Sequence, residues 1–301
     1  MGPTAAGKTD LALALHARGG VDLISVDSVM VYRGMDIGTA KPDAAVQARA
    51  PHALIDIRDP RAPYSAAEFV ADARALIEAS HRAARVPVLV GGTMLYFRSL
   101  LGGLSPLPPA DPAVRERLEG EAAQYGWPSL HARLAAVDPI TARRLHRNDA
   151  QRIQRALEVF ELTGEPMSRR QSRAGPEPLG GSIVKVGVMP GSRSTLHERI
   201  ERRFQGMLHQ GAVEEVEALR ALPGVHADLP AMRAVGYRQI WSYLAGRMAR
   251  HELAFRGTVA TRQFARRQIT WLRREPDLVW VDPLAHNPCD RLSDLINRVV
   301  A

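Results

Sequence analysis

The sequence predicts an α/β protein, a parallel sheet clad by helices and interrupted by an all-helical insertion. Three observations carry this. The stretch Gly2-Pro3-Thr4-Ala5-Ala6-Gly7-Lys8-Thr9 matches the phosphate-loop spacing of Gly, four residues, Gly-Lys-Thr, and the apolar run Leu11-Ala12-Leu13-Ala14-Leu15 follows at once as a helix. Strand-like apolar runs then alternate with helical periodicity: Val21–Val26, His52–Ile57 and Pro87–Val90, and much later Ile183–Met189 and Val279–Asp282. Between Asp111 and about Gly164 the periodicity is helical, with no strand candidate. The expected architecture is a P-loop NTPase-like parallel core made by residues 1–105 and 181–301, with a helical domain inserted at 106–180.

Each residue type in the loop has a chemical reason. Glycines let consecutive backbone N–H groups turn inward as an anion-binding nest. Lys8 reaches outer phosphate oxygens as a point charge, and the Thr9 hydroxyl is suited to a magnesium ion. The following helix turns its positive end toward the same anion. A glycine-rich surface turn is the competing explanation, and the helix beginning on cue argues against it. One part of the pattern is missing: the loop is expected to hang from a buried strand, yet it begins at residue 2. The expectation is a start upstream of Met1, a sheet without its first strand, neighbours with unpaired edges, and a protein of this length that is poorly stable or inactive.

At 301 residues, 46% hydrophobic and 24% charged, the chain has a globular composition. Its longest apolar runs, such as Val86–Val90, are strand-sized, which argues against a membrane-spanning helix or a membrane partner. No signal peptide is visible, and Ala6 occupies the position where N-myristoylation needs Ser or Thr. Cys289 is alone, excluding an intrachain disulfide and a cysteine-based zinc site, so a cytoplasmic location is expected. The net charge is +8 with lysine only at positions 8, 41 and 185. An arginine-rich solvated surface and a polyanionic partner account for this equally well.

In chain order, Val21–Val26 delivers Asp27 and Ser28 to a strand's carboxyl end, where open parallel sheets bind ligands. Asp27 is there as a magnesium or proton acceptor, or as a turn aspartate. Tyr32 to Pro42 is a glycine-punctuated loop, a substrate contact or a connector. Ser65-Ala66-Ala67-Glu68 is a capping box opening a helix to about Arg85. Gly91-Gly92-Thr93 follows the next strand, with Thr93 near a ligand or capping a helix. Leu104 to Pro109 reads as a proline-rich hinge, and Gly175 to Gly181 as a loop. In Asp149 to Leu157, Ile153, Leu157 and Phe160 share an apolar face while Gln151, Arg152 and Arg155 lie off it. Helix is expected over Leu196–Leu222 and His251–Arg274. On the latter, Arg262, Arg266 and Arg273 share one face, Arg267 and Arg274 an adjoining one, and Phe264 and Trp271 are assigned to the core.

Taken together, these motifs resemble the tRNA dimethylallyltransferase (tRNA isopentenyltransferase) family, bacterial type, across essentially the whole chain. The matching runs are Gly2 to Thr9, Asp27 to Pro42, His52 to Pro60, Gly91 to Phe97, Gln151 to Glu158, Val235 to Gln239 and Arg266 to Arg273. The departures are the absent first strand and the absence of the zinc finger of eukaryotic members. The resemblance implies transfer of a dimethylallyl group from dimethylallyl diphosphate to N6 of the adenosine 3′ of the anticodon, with Mg2+ held at Thr9. It implies Asp27, Thr93 and Lys8 as catalytic groups, and Gly2 to Thr9 as the diphosphate or nucleotide cradle. It implies tRNA contacts from Asp27, Ser28, Val29, Met30, Thr93, Arg115, Gln151, Arg152, Ile153, Gln154 and Arg155. The insertion is then expected to grip the anticodon stem-loop, and the enzyme to act as a monomer. A P-loop kinase using ATP on a small molecule, an adenine-nucleotide isopentenyltransferase, and a non-catalytic RNA-binding protein are the alternatives.

Overall fold

The computed structural model describes residues 1–105, 107–173 and 179–300. It forms two compact units, Met1–Leu100 with Gly181–Ala301, and Leu101–Gly180. The second unit thus begins ahead of the hinge expected at Leu104 to Pro109, whose Pro106 lies outside the described residues. Most of the expected loop at Gly175 to Gly181 lies outside them too.

The first unit opens with helix α1 (Lys8–His16), strand β1 (Val21–Val26), α2 (Ala44–Arg49), β2 (His52–Ala53), α3 (Ala66–Arg82), β3 (Val86–Gly91) and α4 (Met94–Gly102). The strands form a parallel sheet of order β2-β1-β3, with Val21 opposite Val86 through Val26 opposite Gly91. Central β1 is a near-continuous apolar run because both of its faces are covered. Burying Leu23 and Ile24 there, 2% and 1% exposed, stabilises the fold by roughly 1.5–3 kcal/mol each. The capping box holds as expected: Ser65 accepts from Glu68 N, and Glu68 accepts from Ser65 N. Strand β2 is much shorter than the His52–Ile57 run. Leu54 and Asp56 take positive φ of 65° and 57°, so the chain leaves the sheet. Asp56 N and Arg58 N donate instead to the Met30 and Val31 carbonyls.

The first unit resumes with β4 (Lys185–Val188), α10 (Arg193–His209), α11 (Ala212–Arg220), α12 (Tyr237–Leu244), α13 (Arg250–Leu272), β5 (Leu278–Val281) and α14 (Pro288–Val300). The helix expected over Leu196–Leu222 is broken at Gly211, whose φ of 100° ends α10 and caps α11. Strands β4 and β5 pair in parallel as a separate two-stranded sheet. Met1 makes the bonds of parallel pairing with β4: its amine donates to Val186 O at 2.7 Å and its carbonyl accepts from Val188 N at 2.8 Å. On the other side, Gly2 O lies 3.0 Å from where a Gly92 side chain would begin, just beyond β3. Valines of β3 and β4 pack with Leu11, Leu15, Leu23 and Val281 in one core.

The second unit is helical among its described residues: α5 (Pro112–Tyr125), α6 (Trp127–Val137), α7 (Pro139–Arg144), α8 (Ala150–Thr163) and α9 (Met167–Gln171). Aspartates 111, 138 and 149 each cap a helix by accepting from a first-turn amide. Leu118, Leu134, Ile153 and Leu157 are fully buried in its core. Among the described residues of the chain, no helix is long and apolar enough to cross a membrane.

Candidate active site

A cavity of about 460 Å³ lies in the first unit, where the phosphate loop meets the carboxyl ends of β1 and β3. Thr4, Ala5, Lys8 and Thr9 line it from the loop, Asp27 and Ser28 from the end of β1, and Gly91 and Gly92 from β3. Helices α10 and α13 contribute an apolar wall including Ile200, Phe204, Met207 and Phe264. Among the described residues, four cations reach it, Lys8, Arg203, Arg233 and Arg267, against a single carboxylate, Asp27. That charge balance suits a multiply charged anion with an apolar tail.

The loop has the shape its sequence demands. Ala5 and Gly7 take φ of 61° and 91°, and Gly7 hands the chain directly to α1. The Arg199 guanidinium braces it from α10 by donating to Ala5 O at 2.9 Å. Lys8 folds back, its Nζ donating to Pro3 O at 2.7 Å. Burial, with the Arg203 charge adding to it, pulls the Lys8 pKa down to about 8 against the opposing pull of Asp27. Gly2, Pro3, Ala6 and Gly7 shape the loop without lining the cavity.

Arg203 was not among the expected site residues. Its guanidinium donates to Thr39 O at 3.1 Å, while its buried Nε has no partner among the described residues. Burial lowers its pKa, and Asp27 and Asp10 oppose that. The signal lay in α10: Leu196, Ile200 and Phe204 form a buried stripe, and an arginine adjoining such a stripe has its head drawn inward with it.

Asp27 is both a turn aspartate and a cavity residue. Its Oδ1 accepts from Val29 N at 2.8 Å and Met30 N at 3.2 Å, which leaves acceptor capacity on Oδ2. Val29 and Met30 also line the cavity. Thr93 stands behind the lining: its Oγ1 accepts from Ser28 N at 3.1 Å and lies 3.4 Å from Ser28 Oγ, so the hydroxyl is tied to the β1 end. From the Tyr32 to Pro42 loop, Tyr32, Gly38, Thr39 and Pro42 reach the cavity, whereas Lys41 is an internal clasp between Asp36, Asp56 and Tyr32 O. Trp271, assigned to the core by its sequence, is instead 42% exposed, with the Arg98 guanidinium 5.6 Å from its ring centre.

The remaining expected RNA contacts lie in the second unit. Arg152 is open, paired only with its own cap Asp149, and Gln151 is exposed. Ile153 is fully buried in the core, so its side chain is not offered to a partner. Gln154 donates to Arg115 O and Glu119. Arg115 and Arg155 converge on Glu158, which is fully buried. Burial pushes the Glu158 carboxyl up, but hydrogen bonds from the two arginines and the Asp111 amide outweigh it and hold it below the usual range. Arg155 also donates to Pro108 O. Its first duty is structural.

A magnesium ion needs hard oxygen donors and takes few from protein when phosphates supply the rest. Thr9 and Asp27 line the same cavity and meet that need. Among the described residues no cluster of three or more His, Cys, Asp or Glu forms an all-protein cage.

The sequence profile of the family described as IPP transferase matches residues 30–275. The chain belongs to the IPP transferase family. Within it, the chain is 63% identical over 284 residues to the tRNA dimethylallyltransferase of Alkalilimnicola ehrlichii, covering 94% of this chain and 89% of that one. It is 55% identical over 296 residues to the tRNA dimethylallyltransferase of Thiobacillus denitrificans, covering 98% and 94%. Among solved structures, the full-length tRNA isopentenylpyrophosphate transferase of Bacillus halodurans superposes with a TM-score of 0.70 at 34% identity, over 99% of this chain and 94% of that one. A eukaryotic dimethylallyltransferase, solved acting on tRNA, has the same fold with a TM-score of 0.81 at 23% identity, over 99% of this chain and 78% of that one.

Proposed function

We propose that this IPP transferase family member moves a dimethylallyl group from dimethylallyl diphosphate to N6 of the adenosine 3′ of the anticodon in tRNA, releasing diphosphate. The observation that carries this is the convergence of the phosphate loop, four cations, one carboxylate and an apolar wall in a single cavity. Relatives of high identity bear the name of that activity.

In this reading the backbone amides of the loop, Lys8 and Arg203 hold the diphosphate, and the apolar wall receives the five-carbon chain. The Thr9 hydroxyl and Asp27 would hold Mg2+, which would supply neutralisation of diphosphate charge. Asp27 accepts a hydrogen bond from the adenine N6 amine and takes its proton as nitrogen bonds the allylic carbon. The allylic C–O bond breaks, and its electron pair leaves on the diphosphate, whose growing charge Lys8 and Arg203 offset. An oriented carboxylate contributes about 10²–10⁴-fold to such a step. Thr93, through Ser28, holds the Asp27 turn in line. The base must leave the anticodon-loop stack to enter, at a cost of about a few kcal/mol. The helical unit, with Gln151, Arg152 and Arg115 at its surface, is assigned to the anticodon stem-loop. The enzyme is read as a cytoplasmic monomer.

The core is read as a P-loop NTPase-like sheet in which Met1 marks the strand position between β3 and β4 from which the phosphate loop hangs. Its parallel bonds to β4 support this. Ligand protection tests the whole reading. Dimethylallyl diphosphate is expected to raise the melting temperature and ATP to leave it unmoved, and prenylation is expected on an anticodon stem-loop and not on AMP. Protection by ATP alone would support a kinase, and product on AMP alone a nucleotide prenyltransferase.

A further inference from the structure

Gln268, on α13, spends both ends of its side-chain amide on backbone far away in sequence. Its Oε1 accepts from Thr4 N at 2.9 Å across 264 positions, and its Nε2 donates to Gly92 O at 2.8 Å across 176. The side chain is buried, and it lines the cavity. The partners dictate its orientation, because Thr4 offers a hydrogen and Gly92 a lone pair, so only a group that accepts at one end and donates at the other satisfies both. Gly92 is part of the fit: a Cβ there would stand 2.4 Å from Gln268 Nε2 and 3.0 Å from Gly2 O, so any other residue would displace the amide.

The two anchors belong to different halves of the site. Thr4 is in the phosphate loop. Gly92 immediately precedes Thr93, whose hydroxyl is bonded to Ser28 beside Asp27. With Thr4 N–H committed to Gln268, that amide is withdrawn from the anion cradle, so Gln268 acts on the loop's place and not as a ligand. We propose that Gln268 is a positioning residue that fixes the separation between the diphosphate cradle and the Asp27–Ser28–Thr93 side, and so the alignment of donor carbon with acceptor nitrogen. This rests on the transfer reading above. A misplacement of about 1 Å between reacting groups costs on the order of 10²-fold. The cost therefore falls on kcat, while KM for dimethylallyl diphosphate, set by Lys8, Arg203 and the other amides, stays nearly constant.

The test uses the full chain with dimethylallyl diphosphate, Mg2+ and an anticodon stem-loop. Gln268→Met keeps the volume and deletes both bonds; kcat is expected to fall roughly 10–100-fold with KM for the diphosphate within about threefold. Gln268→Glu gives a readout that mere packing would not. Its protonated carboxyl can still donate to Gly92 O and accept from Thr4 N, whereas the carboxylate can only accept and repels the carbonyl. The kcat of Gln268→Glu relative to wild type at the same pH is therefore expected to fall as pH rises, with melting temperature recorded at each pH. Gln268→Asn, which keeps the amide on too short a stem, replaces Gln268→Met should that variant not fold. A pH-independent ratio, or a loss confined to KM, overturns the positioning role while leaving transfer intact. A wild type inactive on the stem-loop overturns both.

Discussion

Asp27 shapes a turn with one oxygen and faces the cavity, and the two duties separate by substitution. Asn can still accept from the Val29 and Met30 amides but cannot take a proton. Asp27→Asn is expected to lower turnover about 10²–10⁴-fold with tRNA affinity nearly unchanged, read by single-turnover kinetics beside a filter-binding titration. Strong loss of tRNA binding with turnover retained would remove the base role. Lys8 makes a second prediction with a defined sign. Its pKa, held near 8 by burial, means the ammonium is present below that pH and lost above it. Affinity for dimethylallyl diphosphate should be level below pH 8 and weaken above it by up to about tenfold per pH unit. Calorimetric titration across that range decides it; an affinity level up to pH 10 would mean that Lys8 does not hold the anion. Lys8 was legible because the loop's spacing specifies it, and Asp27 because it closes a strand-like run. Arg203 was marked only by the apolar stripe beside it, which draws its head inward without saying against what, and Gln268 is placed by the packing of α13 against the loop, which no local pattern encodes.

At the scale of elements, α8 illustrates how periodicity misleads about polar residues. Its apolar face was read correctly at Ile153 and Leu157, but Arg155 off that face turned out to bind buried Glu158, which no spacing rule marks as a charge inside a core. The two arginines should therefore part company. Arg152→Ala is expected to leave stability unchanged and to flatten the salt dependence of tRNA binding by about 0.7–0.9 in log–log slope. Arg155→Ala leaves a buried carboxylate short of one partner and should cost about 1–3 kcal/mol in denaturant unfolding. An unaltered slope for Arg152→Ala would take it out of the RNA contact. Between α10 and α13, Gly257 admits the Phe204 ring so closely that a Cβ would stand 2.0 Å from it. Gly257→Ala should destabilise by about 1–3 kcal/mol through overpacking, and a neutral melt would contradict that packing. Strand β2 was overcalled for a related reason. Leu54 and Asp56 have ordinary strand-compatible neighbours, and their left-handed turn is imposed by bonds to Met30 and Val31 that arise only in the folded chain.

For the molecule as a whole, the alternation of strands and helices and the helical character of the second unit followed from period and caps alone. The pairing of β4 with β5 across α10–α13 did not, because parallel partners distant in sequence leave no local mark. Met1 bonds to β4 on one side and Gly2 O lies against Gly92 on the other, so the phosphate loop is tied into the core at its first residues.

The central claim is that one cavity holds a departing diphosphate while the Asp27 carboxylate prepares an adenine amine to capture the prenyl carbon. Nucleoside mass spectrometry of an anticodon stem-loop, incubated with the protein, dimethylallyl diphosphate and Mg2+, tests it most directly. The account predicts N6-dimethylallyladenosine at the position 3′ of the anticodon with wild type and its near absence with Asp27→Asn. Unmodified adenosine with the folded wild type, or equal product from both proteins, would contradict it.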